Sequence, residues 1–231
     1  YIGTEKCHCF KKAITDLLYL QSNLQEILDK ENFSTFSLDY YSSNHIDPVT
    51  GRSALEAVQT ALKACQDFTV HFSEDFQNIL LYGDTGVGKT FLSHCIAKEV
   101  MDAGFSVIYF TAAGLFDIFA KCVFGRHSDE EDETMDHIYG CDLLIIDDLG
   151  TELSNSFTTS QLFICLNERI LRQKPTIIST NLALEDIKAF IRSGHSPASA
   201  AIIRCFGLPE TISASKKKLL NLGGTKDAAT Q

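Results

Sequence analysis

Gly83, Gly88, Lys89 and Thr90 stand in the spacing Gly-x-x-x-x-Gly-Lys-Thr, within the stretch NILLYGDTGVGKT of Asn78–Thr90. Those residue types suit phosphate. Glycines let the backbone turn tightly and bring its N–H groups to phosphate oxygens. Lys89 adds a positive point charge for the β- and γ-phosphates, and Thr90 offers a hydroxyl to Mg2+. The pattern predicts a P-loop that binds ATP, with Gly83, Asp84, Thr85, Gly86, Val87, Gly88, Lys89, Thr90 and Phe91 as its contacts.

A second constellation lies downstream in CDLLIIDD, Cys141–Asp148. Four apolar residues end in two carboxylates. At the edge of a sheet, Asp147 can hold Mg2+ directly or through water. Asp148 can orient or deprotonate an attacking water. A third strand-like run, PTIISTN, ends at Asn181, whose amide would stand beside the γ-phosphate. Lys89, Asp148 and Asn181 are the candidate catalytic residues, and Thr90 with Asp147 the candidate magnesium ligands.

These groups need strands to carry them and helices to cover the strands. The apolar run Ile79–Tyr82 precedes the loop, and Phe91, Leu92, Cys95, Ile96 and Val100 follow at helical spacing. Ser106–Thr111 (SVIYFT) predicts a further strand and Ala112–Phe124 a helix. Asp129–Glu133 (DEEDE) reads as a solvated mobile loop, because clustered like charges repel. Leu162–Leu171 predicts a helix, with Arg169 and Arg172 near its end. Ser53 followed by Glu56 is a capping-box pattern opening a helix to about Asp67, with Leu55, Val58, Leu62 and Cys65 inward. Strands alternating with helices, polar at the strand C-termini, predict a parallel doubly wound α/β sheet.

The 231 residues suffice for one α/β domain with an appendage. The net charge of −10 argues against a protein that coats duplex DNA, so any nucleic-acid contact must be a local patch. No apolar run reaches the roughly 18–20 residues of a membrane span, so no membrane partner is expected. Eight cysteines are scattered, most among apolar neighbours, as in Cys95, Cys122, Cys141, Cys165 and Cys205. That usage fits reduced, buried thiols and a cytoplasmic location.

Before the core, Ala13–Lys30 has helical spacing, and Asn32–Pro48 reads as a linker whose aromatics dock on a neighbouring surface. Cys7-His8-Cys9 has metal-ligand character, but a closed zinc site needs four ligands and no second cysteine pair lies nearby. The residues by themselves favour no metal there. Phe116, Phe119, Lys121, Phe124 and Arg126 mix aromatics with positive charge. They suit either single-stranded DNA or an ordinary core-facing helix. Lys216–Lys218 reads as a solvated tail.

Three blocks together, ILLYGDTGVGKT (Ile79–Thr90), LLIIDDLGTE (Leu143–Glu152) and IISTNL (Ile177–Leu182), resemble the AAA+ ATPases of the DnaC/DnaI helicase-loader and IstB group. The resemblance covers about Ser53 to Phe190. It implies that Gly83, Gly86, Gly88, Lys89 and Thr90 form Walker A, that Asp147 and Asp148 form Walker B, and that Asn181 is sensor 1. It further implies an ATPase using ATP and Mg2+, a DnaB-like replicative helicase and single-stranded DNA as partners, and self-assembly through the ATPase domain. An IstB-like helper of a transposase is the alternative.

YIGTEKCHCF at the start also looks like these loaders. In relatives, two more cysteines stand just upstream, so Cys7 and Cys9 would be half of a Zn2+ site in a longer protein. The implied organisation is an N-terminal helicase-interaction remnant over 1–31, a linker over 32–52, an ATPase core over 53–190 and a divergent tail over 191–231. The tail departs from the relatives after Phe190. Regrouping its possible codons by one base restores three family blocks, which motivates the hypothesis of a frame shift; a gene sequence with no such shift sinks it. The replaced block would carry the arginines that reach a neighbour's γ-phosphate, and the fifth strand. ATP binding with weak assembly-coupled hydrolysis and a poorly ordered tail is the resulting expectation.

Overall fold

The computed structural model describes residues 24–44, 46–47, 51–124, 129–150, 156–182 and 218–221. Among the described residues, five strands form a parallel sheet: β1 (Ile79–Tyr82), β2 (Val107–Thr111), β3 (Leu143–Leu149), β4 (Thr176–Thr180) and β5 (Lys218–Asn221), in the order β2-β3-β4-β1-β5. The helices are α1 (Leu24–Lys30), α2 (Ala54–Val70), α3 (Lys89–Asp102), α4 (Ala112–Phe124), α5 (Asp129–Gly140) and α6 (Ser156–Leu171).

The central strands are apolar on both faces because helices cover both, as parallel sheets require. Residues alternate between the faces. Ile79, Leu81, Val107, Leu143, Ile145 and Ile177 meet α1, α2 and α3 on one side. Leu80, Ile108, Leu144, Ile146 and Ile178 meet α4, α5 and α6 on the other.

Local signals set the helix ends. Glu56 N–H donates to Ser53 Oγ at 3.2 Å, and Ser53 N–H donates to Glu56 Oε2 at 2.9 Å, completing the capping box. The inward residues of α2 are Val58, Ala61, Cys65 and Phe68; Leu55 and Leu62 are only half-buried. Among the described cysteines, Cys65, Cys95, Cys141 and Cys165 are buried and in no disulfide, whereas Cys122 is half-buried.

Two expectations need correction, and one buried residue stands out. Asp129–Glu133 opens helix α5 rather than forming a loop. Acidic residues suit the first turn of a helix, where the backbone dipole is positive. Arg169 lies in the last turn of α6, near the helix end as expected, and is fully buried (0 % exposed). Its guanidinium donates to the carbonyls of Ile138 (2.8 Å), Cys141 (3.1 Å) and Pro175 (2.6 Å) and to Thr176 Oγ1 (2.9 Å). It thereby ties the end of α5 to the start of β4. Lastly, Lys218–Asn221 of the expected solvated, poorly ordered tail forms β5 along the outer edge of β1, so the fifth strand is present. An uncovered β1 would leave its backbone groups unpaired along that edge.

Of the expected N-terminal helix, Leu24–Lys30 is described; Cys7, Cys9 and the frame-shift blocks of Ile191–Ser215 lie outside the described residues. Phe33, Phe36, Leu38 and Tyr41 of the linker pack on the α1–α2–α3 side of the core, so its aromatics do dock. Phe116 and Phe119 are core residues. Phe124 is exposed and faces Phe157 with ring centroids 5.0 Å apart. Arg126 lies outside the described residues.

Candidate nucleotide site

The loop between β1 and α3 turns on glycines whose backbone conformations other residues rarely adopt. Gly83, Gly86 and Gly88 have φ of 139°, 80° and 100°. At Gly88 a Cβ would also stand 2.5 Å from the Tyr41 hydroxyl. That hydroxyl donates to the Val87 carbonyl at 2.9 Å, and Phe36 packs edge-on against Phe91, ring centroids 5.3 Å apart. The linker thus braces the loop from outside. Burial pushes the Tyr41 phenol pKa up, so it stays a donor. The sequence indicated docking by the linker aromatics, but gave no target for Tyr41.

Lys89 begins α3 and is 6 % exposed. Its ammonium donates to the Gly83 carbonyl (2.9 Å), the Asp84 carbonyl (2.8 Å) and Asn181 Oδ1 (2.6 Å). Burial pushes it below the ordinary lysine range, while Asp148, Asp147 and Asp84 hold it charged. A partly desolvated cation facing three carboxylates marks where a polyanion and a divalent cation would both be welcome.

The ends of β3 and β4 supply the other wall. Asp147 is 5 % exposed. It accepts from Thr90 Oγ1 at 3.0 Å and from Ser179 Oγ at 2.5 Å. Asp148 turns the opposite way. Its φ is 58°, a left-handed conformation that aspartate tolerates better than most residues. The β3–β4 register shifts between Ile146 and Leu149, and the Asp148 N–H donates to Ser179 Oγ at 2.8 Å. The result is an exposed carboxylate beside a buried one. Asn181 Nδ2 donates to Asp148 Oδ1 at 2.5 Å.

Lys89, Thr90, Asp147, Asp148 and Asn181 therefore converge at one end of the sheet. Asp84, Thr85 and Gly86 form the exposed crest of the loop, Val87 is buried beneath it, and Phe91 lies half-buried on α3. Ser179 was missed. Its only sequence signal was its place two residues before Asn181 on a buried strand. The groups around Thr90 and Asp147 are hard oxygens, which fit Mg2+, an ion usually held by one or two carboxylates together with substrate phosphates. Among the described residues no three His, Cys, Asp or Glu side chains form a metal cage.

The family model of IstB-like ATP-binding proteins matches residues 54–205. The chain belongs to that family.

This IstB-like chain is also similar to the replicative helicase loader DnaC of Escherichia coli strain K12. The two are 24 % identical over 136 residues, 59 % of this chain and 55 % of DnaC. It is 29 % identical over 163 residues to the chromosomal replication initiator DnaA of Spiroplasma citri, 67 % of this chain and 34 % of DnaA. The chain thus spans about half the length of DnaC and a third of that DnaA.

Among solved structures, the DnaC helicase loader superposes with a TM-score of 0.60 at 20 % identity, covering 84 % of this chain and 97 % of that one. DnaI gives 0.59 at 20 %, covering 87 % and 92 %. AMPPCP-bound DnaA from Aquifex aeolicus gives 0.53 at 18 %, covering 72 % and 48 %. The IstB-like chain has the fold of AAA+ P-loop proteins. None of its described helices is long and apolar enough to cross a membrane.

Proposed function

We propose that this chain binds ATP with Mg2+ between the β1–α3 loop and the ends of β3 and β4, and uses it to load a DnaB-like replicative helicase onto single-stranded DNA. The observation that carries the nucleotide part is the meeting of Lys89 with Asn181 and of Thr90 with Asp147. Thr90 and Asp147 would hold Mg2+, which would supply positive charge to offset that of the phosphates.

The chain's own residues do the rest. The loop N–H groups and the start of α3 cradle phosphate. Lys89 exchanges its loop carbonyls for phosphate oxygens. Thr90 and Asp147 offer oxygen ligands. Asp148, exposed and aimed outward, accepts a proton from an attacking water, which the Asn181 amide orients. Without a neighbour's arginine, hydrolysis is slow, and self-assembly would speed it.

Helicase loading rests on the likeness to DnaC and DnaI. The match to the IstB-like family model favours, as a second reading, an ATP-dependent helper of a transposase. Cys7 and Cys9 would contribute half of a zinc site in a longer protein under the loader reading.

The test is a pull-down of the protein against the host's replicative helicase and, in parallel, against a transposase encoded beside it, with ATP and Mg2+. Capture of the helicase by the parent protein and its loss in Lys89→Ala supports loading. Capture of the transposase alone overturns it. A fluorescent ATP analogue that binds Lys89→Ala as well as the parent would sink the nucleotide assignment. The expected loss of affinity is about tenfold to a hundredfold, from charge-assisted bonds of about 1.5–3 kcal/mol.

A further inference from the structure

The side of the sheet facing α3 carries a buried hydroxyl that the site described above does not use. Tyr109 lies on β2, in register with Ile145; Thr111, two residues on, is in register with Asp147. Tyr109 and Asp147 therefore share a face, on adjacent strands, in diagonal positions. A tyrosine side chain is long enough to span that diagonal.

Helix α3 repeats the arrangement from above. Thr90, in its first turn, donates to Asp147. His94, four residues later and so on the same helix face, packs on Tyr109 with ring centroids 5.0 Å apart. The His94 ring is fixed in turn: its Nδ1 lies 2.6 Å from Glu31 Oε2, just beyond the end of α1.

The Tyr109 hydroxyl is buried and makes no hydrogen bond of normal geometry among the described residues. The Asp147 carboxylate lies close enough to interact with it, and a phenol, with an ordinary pKa of about 10, is a donor at neutral pH. A buried unpaired donor costs about 1–3 kcal/mol. A phenylalanine would fill the same space without that cost. The hydroxyl thus has no role in packing, yet it stands beside the carboxylate on the metal side of the site.

We propose that Tyr109 is a positioning residue for Asp147: its phenol donates to that carboxylate when Thr90 and Asp147 serve a divalent cation, and His94, anchored by Glu31, keeps the phenol aimed there. The assignment rests on the nucleotide reading above. Groups that orient a metal's carboxylate ligand typically matter about 10- to 100-fold in metal affinity.

The experiment is a Mg2+ titration of a fluorescent ATP analogue on the whole chain, read beside its binding in EDTA and thermal melting. Tyr109→Phe is expected to raise the Mg2+ concentration for half-saturation roughly tenfold. Affinity in EDTA should not change, and Tm should be equal or higher, since an unpaired hydroxyl is removed. His94→Phe, which keeps a ring against Tyr109 but loses Glu31, should move the Mg2+ midpoint in the same direction. The double variant should be no worse than Tyr109→Phe alone.

A Tyr109→Phe midpoint within about twofold of the parent overturns the proposal. So does a matching loss of EDTA affinity and Tm, the signature of a packing role. If the parent shows no Mg2+-dependent binding, the nucleotide reading fails and takes this assignment with it. That outcome is recognised in the parent alone, before any variant is compared.

Discussion

Asn181 holds Lys89 at 2.6 Å through its amide oxygen, while its amide nitrogen holds Asp148 at 2.5 Å. One side chain at the end of β4 therefore sets both the buried loop cation and the outward carboxylate. Asn181→Ala should leave nucleotide affinity within about tenfold of the parent. It should slow single-turnover hydrolysis about 100-fold, the usual cost of one oriented donor. An equal loss in both measurements would assign Asn181 to binding alone.

The contact between Gly88 and Tyr41 has a measurable consequence. Gly88→Ala must place a Cβ against the Tyr41 hydroxyl and hold alanine at a φ of 100°. Destabilisation of about 1–3 kcal/mol is expected from the backbone alone. Tyr41→Phe removes the clashing oxygen, so the double variant should regain part of the lost Tm. No recovery would mean that the linker does not lie against the loop in solution.

Asp142 links the start of β2 to Lys174. It accepts from the Ser106 N–H at 2.9 Å and from Lys174 Nζ at 2.8 Å. Burial pushes its pKa up, but Lys174 and Ser106 together outweigh that and hold it below its ordinary 3.8. A depressed folded pKa stabilises fully above the unfolded value and is lost as pH falls through the folded one. The parent's Tm should thus fall more steeply below about pH 4 than that of Asp142→Asn. Parallel acid melts would show that Asp142 contributes nothing.

Arg169→Met removes the donor shared by the carbonyls of Ile138, Cys141 and Pro175. The expected cost is about 3 kcal/mol, a fall in Tm of roughly 6–12 °C. Nucleotide affinity at temperatures well below Tm should be unchanged, because Arg169 touches no residue of the loop.

The residues that meet at the candidate site were legible because they lie in local motifs. The loop from Gly83 to Thr90, the acids after Leu143–Ile146 and the strand before Asn181 each announce themselves within a dozen residues. What escaped the sequence is contact between distant segments. Tyr41 reaches Val87, Ser179 reaches Asp147, and Arg169 collects carbonyls from α5 and the approach to β4, none of which has a periodic signature. Helix α5 was hidden because its opening acids read equally as a solvated loop, and β5 because lysines precede it.

The strand that leads into the Gly83–Thr90 loop is made early, yet its outer neighbour, Lys218–Asn221, is made late. On the ribosome, β1 must wait with one flank bare while most of the domain is translated. A transcript cut short before Lys218 would yield a product whose exposed flank can recruit the same flank of another copy, so translational truncation here should appear as clumping before it appears as lost binding.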